Sequence, residues 1–175
     1  MGSGVLHSAC IALGSNLGDR AATLRAAIDA VGELPGTRIV RVSSFHETEP
    51  VGGPAGQGRY LNAAAVIETS MAAGDLLAAL LAIEASLGRE RREGERNAAR
   101  TIDMDILLFG DAVIDDPGVT VPHPRMQDRL FVMAPVAEIA PDWVHPVVGR
   151  TMAELLSMLI AEETMGPANV SGESR

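Results

Sequence analysis

The sequence predicts an α+β fold of ferredoxin-like order: a βαββαβ antiparallel sheet with its helices on one face, followed by a mainly helical C-terminal extension. Three observations predict it. Four extended apolar runs fall near 5–13, 37–46, 59–69 and 101–109. Two long segments with helical apolar spacing lie between them, near 19–34 and 74–87, giving the order strand-helix-strand-strand-helix-strand. No repeat or domain boundary interrupts the 175 residues, so one domain is expected over 1–175, with a core at 5–162 and a frayed tail at 163–175.

Each element has its own signal. Val5 to Leu13 is mostly apolar and runs into the turn cluster Gly14-Ser15-Asn16-Leu17-Gly18-Asp19. In the helix that follows, Leu24, Ile28, Val31 and Leu34 recur at helical spacing, Asp29 and Glu33 face water, and Pro35-Gly36 ends it. Thr37 to His46 reads as the second strand, with Val40 and Val42 on one side and Arg41 and Ser43 on the other. The stretch 47–58 carries Pro50, Gly52, Gly53, Pro54, Gly56 and Gly58 without periodicity; a loop this long inside a compact domain points to function. In the third strand, Leu61, Ala63, Ala65 and Ile67 form one face, and Tyr60, Asn62, Ala64 and Val66 the other. Gly74-Asp75 opens the second helix, whose buried stripe is Leu76, Leu80, Ile83 and Leu87 and whose stop is Gly88. A charged loop at 89–100 holds Arg89, Arg91, Arg92, Arg96 and Arg100, and Thr101 to Phe109 is the fourth strand. Short extended pieces reach Val121, Pro122-His123-Pro124 breaks the chain, and apolar groups at Phe131 to Ile139 and a last helix from Thr151 to about Glu162 complete it.

Bulk chemistry narrows the function. The chain is 47% apolar and 21% charged, as a globular protein is, and its net charge of −9 argues against a protein that covers duplex nucleic acid. An anionic ligand then needs a local basic cluster, and the arginines concentrate at 89–100. Cys10 is the one cysteine, so neither an intramolecular disulfide nor a thiolate zinc site is possible, and its apolar surroundings predict a small buried side chain. No signal-peptide pattern and no run of about 18 apolar residues occurs, so a cytoplasmic location is expected.

Asp103 and Asp105 alternate with Ile102, Met104, Ile106 and Leu108, so the carboxylates share one face with Cα atoms roughly 7 Å apart. Two carboxylates at that spacing can converge on one hard cation or straddle two cations about 4 Å apart. Taken alone, the pair fits a solvated face of an edge strand equally well. Arg100, three residues earlier, shifts the reading: carboxylates with Mg²⁺ plus guanidinium groups are the parts a polyphosphate transfer needs. The chain has no Walker motif and no lysine, so arginine must make the cationic phosphate contacts.

These residues resemble a known family. The run Arg96-Asn97-Ala98-Ala99-Arg100-Thr101-Ile102-Asp103-Met104-Asp105-Ile106-Leu107 is similar to the signature of hydroxymethyldihydropterin pyrophosphokinases. Ala12-Leu13-Gly14-Ser15-Asn16, Thr48-Glu49-Pro50-Val51-Gly52, Tyr60-Leu61-Asn62 and Val121-Pro122-His123-Pro124 agree in order and spacing. The resemblance implies transfer of the β,γ-diphosphate of ATP to the hydroxymethyl group of 6-hydroxymethyl-7,8-dihydropterin, with release of AMP, in folate biosynthesis. It implies two Mg²⁺ ions on Asp103 and Asp105, and polyphosphate contacts from Arg89 and Arg100. It further implies nucleotide contacts from Glu84, Arg91, Ile106, Thr120, His123 and Arg129. Tyr60 and Phe131 would sandwich the pterin, and Thr48 and Asn62 would meet its edge. The chain departs from the family pattern at Asn97-Ala98-Ala99, where an aromatic and Gly-Pro are often found, and at Glu49.

From the residues alone, a ligand-binding module without chemistry and an RNA-binding sheet are the rivals; net charge and the lack of aromatic pairs on a basic strand disfavour the second. The expected partners are the two small-molecule substrates, with no nucleic acid, no membrane and a monomeric state.

Overall fold

The computed structural model describes residues 5–89 and 99–166. Its strands are β1 (His7–Ser15), β2 (Thr37–Val42), β3 (His46–Thr48), β4 (Tyr60–Thr69) and β5 (Asp103–Phe109), with a hairpin of β6 (Ile114–Asp116) and β7 (Val119–Val121). Its helices are α1 (Arg20–Gly32), α2 (Ala73–Ser86), α3 (Leu130–Ile139) and α4 (Met152–Met165). The main sheet runs β2-β4-β1-β5, antiparallel throughout, and β3 pairs with β4. This is an α+β arrangement of one antiparallel sheet and four helices, compatible with the ferredoxin-like order. No helix among the described residues is long and apolar enough to cross a membrane.

The two faces of the sheet bury two cores. On one face, α1 lays down Leu24, Ala27 and Val31, and α2 lays down Leu76, Leu80 and Ile83, against Ala9, Ile11, Leu13, Ala63, Ala65, Ile67, Met104 and Ile106. This is the face on which both long helices were expected. The other face is covered in part. The helices α3 and α4 cover Cys10, Ala64, Leu107 and Leu108 with Val132, Met133, Val136, Met152 and Leu155. The end of that face where β1 and β4 run toward Ser15 and Tyr60, and β5 begins, is left uncovered by α3 and α4. Cys10 is fully buried in this second core, and burial pushes its thiol up to about 12.

Three expectations need correction. Gly14 and Ser15 are not a turn: β1 continues through them because they pair with Asn62 and Leu61 of β4. The expected strand 37–46 is broken. Ser43 bonds its N–H to Ala64 O and accepts Ala64 N–H on its hydroxyl, both at 2.9 Å, so a side chain replaces one rung of the ladder. The chain then re-forms as β3, whose residues 47 and 48 were read as loop; β3 takes the outer edge of β4 at 60–62, and β2 takes it at 65–69. Third, Leu108 does not share a face with Met104 and Ile106. Ile11 pairs with Ile106 and Cys10 with Leu108, so Leu107 bulges and the alternation slips by one.

Strand β3 is tied to α3 by one carboxylate. Glu138 accepts from Ser44 N–H, Ser44 Oγ and His46 Nε2, each at 2.8 Å. The Ser44 N–H, followed by His46, holds the Glu138 pKa below its ordinary value. A carboxylate with a depressed folded-state pKa stabilises the native state above its unfolded pKa and loses that contribution as pH falls through the folded value. Glu138→Ala is therefore expected to cost about 1 kcal/mol near neutral pH, kept small by solvent screening, with the gap to wild type closing by about pH 3. Urea midpoints at the two pH values check it.

Candidate active site

The site is built on cross-strand rows. Asn62 of β4, Gly14 of β1 and Asp103 of β5 stand in one row; Ala64, Ala12 and Asp105 stand in the next. Residues in one row point to the same face, so Asn62 and both carboxylates share it. Strand spacing puts Asn62 and Asp103 roughly 10 Å apart at Cα. Between them Gly14 offers no side chain, and a Cβ there would meet Asn62 Oδ1 at 3.2 Å and Tyr60 Cδ1 at 3.7 Å. The result is a bare strip of floor, with amide and phenol on one side and carboxylates on the other.

Asp103 is held by an arginine on each oxygen. Arg89 Nη1 donates to Oδ1 at 2.7 Å and Arg100 Nη1 to Oδ2 at 2.9 Å. Arg89 follows α2 through Gly88, whose φ of 86° suits only glycine, and its N–H closes on Glu84 O at 3.0 Å. Glu84 itself is 1% exposed. One of its oxygens accepts Met104 N–H at 2.7 Å and the other pairs with Arg89 Nη1 at 2.5 Å. A single buried carboxylate thus fixes the arginine and the strand that bears the aspartates. Burial raises the Glu84 pKa, opposed by the Met104 N–H and the Arg89 charge.

Asp105 makes no ion pair among the described residues. Burial, and then the charge of Asp103, raise its pKa; His123 and Arg129 act in the other direction. His123 reaches this row through the bulge, its N–H donating to Leu107 O at 2.9 Å, and burial lowers its pKa. Arg129 leads into α3, and its guanidinium stands 5.8 Å from the Phe131 ring centre. Burial also lowers the Arg129 pKa.

The two aspartates fit a hard cation. The donor set is all carboxylate oxygen, and no group of three or more His, Cys, Asp or Glu forms a cage among the described residues. A pair of carboxylates that leaves most positions to phosphate and water is how Mg²⁺ is commonly bound.

The remaining expected residues divide. Thr48 pairs with Tyr60 across β3 and β4, and Asn62 Nδ2 donates to Thr48 Oγ1 at 2.7 Å, so these three meet. Tyr60 is half-buried, and burial raises its pKa. Phe131 is partly buried against the second core. Ile106 turns its side chain into the first core, opposite the aspartates, because strand alternation requires it; a side-chain contact on the carboxylate face is ruled out. Thr120 is exposed on the β6–β7 hairpin, its hydroxyl donating to Asp115 at 3.4 Å. Arg91 lies outside the described residues, as does most of the expected 89–100 loop. The 49–59 loop is clasped at its base: Arg59 pairs with Glu49 at 2.5 Å and Glu47 at 3.2 Å, and Arg20 pairs with Glu47 at 2.8 Å.

Sequence reasoning missed the roles of Gly14 and Asn16. The turn cluster hides both, and the signals pointing to more are their place at the end of an apolar strand and within a segment that resembles the family.

Comparison with known proteins bears on most of the chain. Residues 10–141 match the family described as 7,8-dihydro-6-hydroxymethylpterin-pyrophosphokinase. A 2-amino-4-hydroxy-6-hydroxymethyldihydropteridine pyrophosphokinase of Pseudomonas aeruginosa is 47% identical over 147 residues, 84% of this chain and 88% of that protein. The Synechocystis protein of the same name is 38% identical over 153 residues, 87% and 76% of the two chains. Among solved structures, wild-type Plasmodium falciparum HPPK-DHPS with STZ-DHP superposes with a TM-score of 0.75 at 15% identity, over 93% of this chain. This chain spans 45% of that longer protein, so the likeness bears on the fold alone.

Removing the Glu84 carboxylate leaves the buried Met104 N–H without its acceptor and takes from Arg89 one of its two carboxylate partners. Glu84→Ala is expected to cost about 3 kcal/mol. Glu84→Gln, which keeps an acceptor for Met104, should cost about half of that. Denaturant midpoints of the ligand-free protein decide it.

Proposed function

Because this chain belongs to the 7,8-dihydro-6-hydroxymethylpterin-pyrophosphokinase family, we infer that it carries out pyrophosphoryl transfer from ATP to hydroxymethyldihydropterin, in folate biosynthesis, at the face bearing Asp103 and Asp105. The observation that carries this placement is the convergence of Arg89 and Arg100 on Asp103 beside a partly buried Asp105.

Asp103 and Asp105 would hold two Mg²⁺ ions, which would supply Lewis-acid neutralisation of the charge on the group in transfer. In the structure the arginines neutralise Asp103. With substrates present they turn to the polyphosphate, where their planar forks neutralise charge on the transferred group and on departing AMP. Glu84 limits how far Arg89 can swing, since it grips the guanidinium from below.

The pterin takes the strip over Gly14. Tyr60 and Phe131 supply apolar ring faces, and stacking contributes roughly 1 kcal/mol beyond area burial. With its Nδ2 given to Thr48, Asn62 has Oδ1 lying beside Gly14 as an acceptor for the pterin edge. Such rim bonds select this heterocycle, because another ring would leave Asn62 unpaired. The hydroxymethyl oxygen then lies toward the carboxylate side of the strip and attacks the β-phosphorus in line. The bond from that phosphorus to the AMP oxygen breaks as the new one forms. His123 and Arg129, whose charges act on Asp105, suit the nucleotide. The same reading keeps the chain a cytoplasmic monomer acting on small molecules.

Asp103→Ala and Asp105→Ala are each expected to abolish AMP release from ATP, Mg²⁺ and hydroxymethyldihydropterin while thermal melting stays cooperative. Near-normal AMP formation by either variant sinks the placement. Gly14→Ala puts a methyl group on the floor and should raise the pterin KM about tenfold, a loss of about 1.4 kcal/mol in binding, with the ATP KM little changed. Initial rates with each substrate varied in turn read both.

A further inference from the structure

Asn16 follows directly on β1, is 5% exposed, and binds two segments that are distant in the chain. Its Oδ1 accepts Arg100 N–H at 2.7 Å, and its own N–H donates to Arg100 O at 3.1 Å. Its Nδ2 donates to Gln57 Oε1 at 3.2 Å and to Gly58 O at 3.3 Å. The contact with the loop is close on the backbone side too, since a Cβ on Gly58 would come 3.3 Å from Asn16 O. One buried amide therefore joins the backbone carrying Arg100 to the end of the 49–59 loop, two residues before Tyr60.

The chemistry asks for asparagine. A single head group must accept on one side and donate on the other; aspartate only accepts, and a hydroxyl cannot reach both segments with separate atoms. Both contacts run to Gln57 and to backbone, not to the side chains assigned to the substrates. Yet Arg100 belongs to the polyphosphate side of the site, and Tyr60 with Asn62 belongs to the pterin side.

We propose that Asn16 is a positioning residue that sets the spacing between the polyphosphate and pterin halves of the site by holding Arg100 and the 49–59 loop end on one amide. This rests on the transfer reading above. In-line attack needs the hydroxymethyl oxygen and the β-phosphorus aligned, and a misplacement of about 1 Å costs about 10²-fold in rate.

Two variants separate the halves. Asn16→Asp keeps the acceptor for Arg100 N–H and sets an anion against Gln57 Oε1 and Gly58 O. It is expected to raise the pterin KM about tenfold while the ATP KM stays within about twofold. Asn16→Ala loses both side-chain ties and should in addition lower kcat by about 10²-fold. Proteinase K cleavage within 51–58, measured on the ligand-free chains, should accelerate in both variants, with thermal melting still cooperative. Equal effects on both KM values, unchanged kinetics, or activity lost only in proportion to the unfolded fraction would overturn the proposal. Pterin-dependent AMP release by the wild-type chain in the same assay distinguishes the two failures: without it the transfer reading falls and takes this proposal with it, and with it the KM split alone decides.

Discussion

Two like charges on adjacent positions of one face of a half-buried strand repel, and much of the structure around Asp103 and Asp105 serves to hold them there. Charges alternate through the site: Glu84, Arg89, Asp103, Arg100. Each member is placed by a different device. Glu84 comes from the buried stripe of α2, Arg89 from the glycine turn that ends that helix, Asp103 from the start of β5, and Arg100 from backbone bonded to Asn16. An apolar cluster of similar volume would fold as well or better. On the proposed function this chain of charges serves the polyphosphate, and Asp105 beside it, whose pKa burial and the charge of Asp103 raise, is the carboxylate a cation would stabilise most.

The sheet divides its second face between stability and chemistry. Where α3 and α4 cover it, the strands present Cys10, Ala64, Leu107 and Leu108. Where they do not, the strands present Gly14, Asn62, Tyr60 and the aspartates. The bulge at Leu107 stands at the border. It turns Leu107 and Leu108 both into the second core, and its carbonyl anchors His123 beside Asp105. The Glu138 tie acts at the same border, joining β3, which carries Thr48, to α3, which carries Phe131.

Much of this was legible in the sequence because it follows from periods of 2.0 and 3.6. Alternation in β5 placed the two aspartates on one face, and helical spacing in α1 and α2 named Leu24, Val31, Leu76, Leu80 and Ile83 as core. What escaped has no period. Strand β3 is three residues long and is defined by pairing with β4, not by a hydrophobic pattern of its own. A bulge changes register without changing composition, so Leu108 was assigned the wrong face. Asn16 resembles a turn asparagine until its partners at 57, 58 and 100 are brought to it by the fold. Glu84 sits on the buried stripe of a helix, where its place in the sequence gave no hint that it grips an arginine and a strand at once.

The lone thiol has a practical consequence. Cys10 is sealed between β1 and the helical cover, and burial keeps it protonated under ordinary conditions. Alkylating reagents and maleimide dyes should therefore pass the native chain by. A single cysteine introduced at an exposed position such as Ala55 would become the one accessible handle for a fluorophore or spin label. The native sequence is thus already prepared for spectroscopy of the 49–59 loop, with no background thiol to remove first.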